Sequence, residues 1–302
     1  MKIKHSIPVL LMILLLGACK NGLTIFEQID QEIELEDAAI VGSVNSIVKF
    51  GDKLYASDGY IYTKDVNAIR GWSKISSPGG PIIKLAADAD NLYALTQTGS
   101  IFGKAGDEAW KEMSSHVPAE KKIKTIFSDG ENAYYEMDNK FYDLNMNSEC
   151  TCVPSSVLHK KNSHLYYAKD GKVYGTSDNY NCDNAATCSP ITNKDLGEAS
   201  VNSQVYSLTY SAKDNAIYAG TNKGLKKLPL NETGKLTGAV LDPPGNWSAT
   251  INAYEAFAVL ATGTTDANSA LYTSTIQKSS TYAKINGLWG YYYGRRNNWN
   301  RE

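Results

Sequence analysis

One short pattern recurs down most of this chain and limits what it can fold into. Its first copy runs over 46–75 and reads SIVKF, a Gly-Asp turn, KLYAS, an Asp-Gly turn, YIYTK, a short loop and WSKI. Short apolar-alternating runs joined by such turn signals predict a four-stranded antiparallel meander. The second run of each copy carries a tyrosine, at Tyr55, Tyr93, Tyr134, Tyr166, Tyr218 and Tyr272, with spacings of 38, 41, 32, 52 and 54 residues. Third runs follow through Tyr62, Phe102, Tyr142, Tyr174 and Leu225. In four copies the fourth run is expected to start at a tryptophan: Trp72, Trp110, Trp247 and Trp299.

Repeats of about 40 residues with four strands each are the pattern of β-propeller blades. The fold class expected is therefore all-β, a propeller of six four-stranded blades, with seven as the alternative count. The count turns on the stretched last repeat, where Tyr282-Ala283-Lys284-Ile285 also reads as a fourth strand and leaves 288–299 over. A β-sandwich would not space a single motif so regularly. The segment from Thr63-Lys64-Asp65 to Gly71-Trp72 resembles a stretched Asp-box, the hairpin of sialidase-type propellers. The resemblance implies the fold class and not the activity. Sialidases need three arginines from separate blades, whereas this chain has Arg70, Arg295, Arg296 and Arg301, three of them in the last eight residues.

The N-terminus points to a compartment. Met1 to Lys4 supply a positive start, and Ile7 to Leu16 an apolar run too short to span a bilayer as a helix. The run ends in Leu16-Gly17-Ala18-Cys19, which resembles the lipobox of bacterial lipoproteins. The resemblance implies cleavage before Cys19, diacylation of that cysteine, and a membrane anchor through lipid. Lys20, where some lipoproteins carry an inner-membrane retention Asp, favours the outer membrane. The expected organisation is 1–18 signal peptide, 19–42 lipidated acidic tether with a short helix through Phe26, Ile29 and Ile33, and 43–302 propeller. The leader, the Lys and Asn content and the Tyr-marked blades together look like spirochaete lipoproteins of unknown function. The leader contains Lys2 and Lys4 and no acid, so the mature chain holds 28 basic and 32 acidic residues. A mildly acidic chain without a basic cluster is not built for nucleic acid.

Four cysteines follow Cys19: Cys150, Cys152, Cys182 and Cys188. An even number in an exported chain reads as two disulfides, here joining the 150/152 pair to 182 and 188 and so linking neighbouring blades. A bridge closing the 182–188 loop is the alternative; the spacings are not those of a zinc ribbon. His159 and His164 lie in a Lys-rich stretch and read as exposed loop histidines. No nucleophile elbow, phosphate loop or zinc-protease motif is present, so no catalytic residue, metal or cofactor is expected.

The C-terminal stretch concentrates Trp289, Tyr291, Tyr292, Tyr293 and Trp299 around Arg295 and Arg296. It reads first as the last blade's third strand, with an exposed tip at 295–298. Tyr292, Arg295 and Arg296 are the candidate binding residues, since aromatic and Arg side chains dominate interface hot spots. The expectation is a non-enzymatic, lipid-anchored protein-binding or assembly module, partnered by the membrane through its lipid and by another envelope protein or a glycan. A propeller that binds or processes glycans is the alternative.

Overall fold

The computed structural model describes residues 40, 44–66, 68, 71–118, 120–177, 191, 193–242, 254–262, 270–278 and 283–292. The chain divides into two units, Met1–Ala39 and Ile40–Glu302. Everything described lies in the second, which begins with a buried Ile40 packed with Val44, Ala56 and Tyr62. Cys19 and the expected tether helix lie outside the described residues.

The 46–75 stretch forms the expected meander of β1 (Ser46–Phe50), β2 (Lys53–Ser57), β3 (Ile61–Asp65) and β4 (Ser73–Ile75). Its register pairs Tyr55 with Val48 on one side and Thr63 on the other. The next sheet is β5 (Ile82–Ala87), β6 (Leu92–Thr96), β7 (Ile101–Lys104) and β8 (Lys111–Glu112). Then come β9 (Ile123–Ser128), β10 (Ala133–Met137) and β11 (Lys140–Asp143). A fourth sheet holds β12 (Leu158–Lys161), β13 (His164–Lys169), β14 (Lys172–Thr176) and β15 (Glu198–Ser200). A fifth holds β16 (Val205–Ser211), β17 (Ala216–Thr221) and β18 (Gly224–Pro229). These five sheets make the fold an all-β propeller with blades of three or four strands. A further sheet, β19 (Tyr254–Thr262), β20 (Ala270–Lys278) and β21 (Ala283–Tyr292), has strands of nine or ten residues.

The cores lie between sheets. Tyr55 and Ile61 of the first blade pack on Ile82, Leu85 and Leu92 of the second. Tyr93, Leu95 and Ile101 pack on Ile126, Tyr135 and Met137 of the third. Phe127 and Tyr134 meet Leu158, Leu165 and Tyr167 of the fourth, and Tyr166 and Val173 meet Leu208, Ile217 and Leu228 of the fifth. A second strand is covered on both faces, which is why LYALT, AYYEM and AIYAGT are buried at every position.

Several expectations are corrected. The blades are not uniformly four-stranded, because the outermost position of the third and fifth is held by single bridges, Tyr142↔Glu149 and Lys227↔Leu241. The fifth blade's outer pairing therefore falls at Leu241, ahead of Trp247, which lies outside the described residues. Trp72 and Trp110 each stand one residue before their fourth strand. Trp110 donates its indole N–H to Ser76 O at 3.1 Å. The segment that resembles an Asp-box starts inside β3, where Leu54 pairs with a buried Lys64. Ala283 to Ile285 is not a separate fourth strand, since the same strand runs on to Tyr292. The repeats alone predicted six blades; the five sheets above do not establish that number.

Candidate functional site

Four of the marker tyrosines, Tyr93, Tyr134, Tyr166 and Tyr218, are fixed by their hydroxyls. Asp88 follows the first strand of the second blade; its Oδ1 accepts the N–H groups of Asp90 and Asn91 at 2.9 and 2.7 Å, turning the chain. Its Oδ2 accepts the Tyr93 hydroxyl at 2.7 Å. Asp129 repeats the arrangement, accepting Glu131 and Asn132 N–H at 2.7 Å each and the Tyr134 hydroxyl at 3.2 Å. In the fifth blade Asp214 accepts the Tyr218 hydroxyl at 2.9 Å. Burial, reinforced by Asp88, raises the Tyr93 pKa far above its ordinary value.

Loops leaving the third strands then clasp the preceding blade. Asn145 follows β11 and lies with Oδ1 2.6 Å from the Tyr93 hydroxyl, while its Nδ2 donates to Asp88 at 3.1 Å. The turn after β18 reaches back in the same way: Tyr166 donates to Gly234 O at 2.6 Å and Leu236 N–H to Leu196 O at 2.8 Å. Gly234 has φ +82°, and a Cβ there would stand 2.5 Å from His164 Nδ1.

First strands meet across five of the seams: β1 against β5, β5 against β9, β12 against β16, and β19 against both β16 and β1. Four of these strands carry a bulge at one register. Ile83 is skipped between Ile82↔Thr96 and Lys84↔Leu95, and Lys124 between Ile123↔Met137 and Thr125↔Glu136. Residue Tyr206 is skipped in β16 and Phe257 in β19. Each stands three positions before the partner of the marker tyrosine, so the repeat places four irregular positions at the same end of the propeller. Bulges re-aim side chains and gather beside functional sites. No sequence reading had found them. Lys124 is held by the buried carboxylate of Glu136, whereas Ile83 is 39% exposed.

Cys150 and Cys152 are each 1% exposed and sit in the core between the third and fourth blades. Ile191 packs on the same cluster, whereas Cys182 and Cys188 lie outside the described residues. Tyr292 is the last residue of β21, paired with Ala270; Arg295 and Arg296 lie outside the described residues. The reading of His159 as an exposed loop residue is corrected: it belongs to β12, paired with Tyr166. Burial, with a smaller contribution from Lys161 and against the pull of Asp129, lowers its pKa to about 4. His164 opens β13, against the Gly234 turn. Burial also lowers the Lys64 pKa to about 8, where Nζ donates to Ala68 O at 2.6 Å. Among the described residues, no helix is long and apolar enough to cross a membrane.

A model of the TP013X lipoprotein family matches residues 1–225. Two uncharacterized lipoproteins of Treponema pallidum (strain Nichols) are similar to this chain. One is 33% identical over 74 residues, 22% of this chain and 15% of the relative. The other is 31% identical over 104 residues, 33% of this chain and 25% of the relative. The chain thus spans a quarter or less of either relative. Among solved structures, that of U3-55K is similar with TM-score 0.49 and 10% identity, covering 82% of this chain and 94% of that one. PorZ, a surface component of the type-IX secretion system of Porphyromonas gingivalis, gives TM-score 0.40 and 11% identity over 83% of this chain and 39% of that one.

Proposed function

The chain belongs to the TP013X lipoprotein family, and on that premise we propose that it is a protein-binding module of the bacterial cell envelope, without catalytic activity of its own. Family membership makes it a membrane-anchored envelope protein. The anchor in this reading is lipid on Cys19, and Lys20 favours the outer membrane. The observation that carries the binding role is the division of labour within the repeat. The second strands are buried in every one of the five blades, and three of those blades repeat the Asp–Tyr lock, while loops and bulge residues vary from blade to blade. A rigid ring with variable loops is the arrangement that presents specificity to a macromolecule.

Two structural proposals belong with this role. The β19–β21 sheet, beside both β16 and β1, acts as the sixth blade and closes the ring, which removes exposed sheet edges. Cys150 and Cys152 pair with Cys182 and Cys188 across the seam that Ile191 reaches.

The test is capture of partners from intact envelope by the lipidated wild type and by an Arg295→Ala, Arg296→Ala variant. Loss of about thirtyfold in affinity is expected if these arginines form a hot spot. Equal recovery removes that contact. A glycan or peptide turned over by the pure protein contradicts the non-enzymatic reading.

A further inference from the structure

Of the four large apolar side chains that the described residues expose, Tyr60 and Ile83 share one seam, at 54% and 39% exposure. Tyr60 follows the Asp58-Gly59 turn of the first blade, and Gly59 O accepts the Ile82 N–H at 2.8 Å. The first blade holds this part of β5 from several directions. Ser57 Oγ and Asn45 Nδ2 both donate to Ile82 O, at 3.1 and 3.2 Å. Ser46 Oγ accepts the Leu85 N–H at 2.8 Å. Ile83 and Lys84 are thus fixed on either side by contacts to the neighbouring blade, and the bulge turns an isoleucine outward where burial would be expected. Such a side chain is preorganised for a partner, with little ordering left to lose on binding.

The charge at this seam has one sign left over. Lys74 stacks its ammonium 3.2 Å from the centre of the Tyr60 ring. Lys84 is desolvated, which lowers its pKa below the ordinary lysine value. Neither lysine makes an ion pair among the described residues. The nearby acid, Asp58, accepts the Tyr60 N–H at 3.2 Å and stands as one carboxylate against two ammonium groups. A partly buried ammonium without a counter-ion is an unfavourable arrangement that an incoming carboxylate relieves.

We propose that the Tyr60–Ile83 seam, flanked by Lys74 and Lys84, is the docking site for an extended acidic segment of a partner protein. An apolar side chain of that segment seats against Ile83 and Tyr60, and its carboxylates meet the two ammonium groups. The proposal rests on the protein-binding reading above and gives it a surface and a ligand chemistry.

The test uses the full lipidated protein in nanodiscs of neutral lipid, with empty nanodiscs as blank. The probes are two labelled peptides of about twelve residues, one alternating Glu with Leu and one alternating Lys with Leu. The Glu peptide is expected to bind and the Lys peptide not to. Ile83→Ser, and separately Lys74→Gln with Lys84→Gln, should each weaken the Glu peptide about tenfold or more. Both changes are at exposed or half-exposed positions, and the unfolding midpoint verifies the fold; Tyr60→Ser is the second apolar variant. Equal binding of the two peptides, no binding of the Glu peptide, or wild-type affinity in all the variants overturns the proposal. Envelope partners recovered in full by Ile83→Ser also overturn it while leaving the binding function intact. No partner recovered by the wild type removes that function itself.

Discussion

Asp88 and Asp129 each stand five residues ahead of a tyrosine whose hydroxyl they accept. The sequences DADNLY and DGENAY therefore encode a turn and a lock together. The tyrosines were legible as strand markers, but their aspartates were not read with them, because an Asp in a turn explains itself locally. Tyr93→Phe keeps the ring and leaves Asp88 short of a donor. A loss of about 1–3 kcal/mol is expected, measured by denaturant unfolding. His159 gives a pH signature. Its folded pKa of about 4 lies below the unfolded value, so between those two values the unfolded chain binds more protons than the folded one. Stability from this residue is full above about pH 6.5 and falls as the pH drops toward 4. His159→Gln should flatten that part of the stability–pH curve. An unchanged slope would show that the ring is already solvated.

At the scale of elements, the meander was readable because alternation and turn signals coincide in residues 46–75. The bulges were not. A bulge changes which residue is skipped, and IIKLAA looks the same with or without one. His159 was misread because the two lysines after it suggested solvent, while its strand lies on the innermost edge of a blade. The outer bridges at Glu149 and Leu241 carry no tryptophan and were missed for that reason. The clasps between blades make two predictions. Gly234→Ala combines a positive φ with a Cβ 2.5 Å from His164 Nδ1, and should cost about 1–3 kcal/mol in the same unfolding measurement. For the cysteines, thiol titration of the denatured, unreduced protein should find Cys150, Cys152, Cys182 and Cys188 all unreactive. Removing such bridges typically costs about 2–4 kcal/mol each. Four reactive thiols would contradict the pairing.

For the whole molecule, repeats gave the propeller but not its closure, since blade number depends on spacing in the very region where the repeat stretches to 54 residues. The lipoprotein character was readable from four residues, Leu16 to Cys19, because lipid attachment is specified by a short linear motif. The ligand was not readable, because specificity sits in loops and bulges that no periodicity describes. Cys19→Ser should abolish palmitate labelling and release the protein from membranes; retained labelling would place the lipid elsewhere. The central claim is that the anchored ring binds a partner protein through the end where its inner strands bulge. Its most direct test is photo-crosslinking in intact cells from a reactive side chain at position 83, compared with one at position 111 on the outer strand β8. The account predicts a discrete protein adduct from position 83 and none from position 111. Adducts from 111 alone, or from neither position, would contradict it.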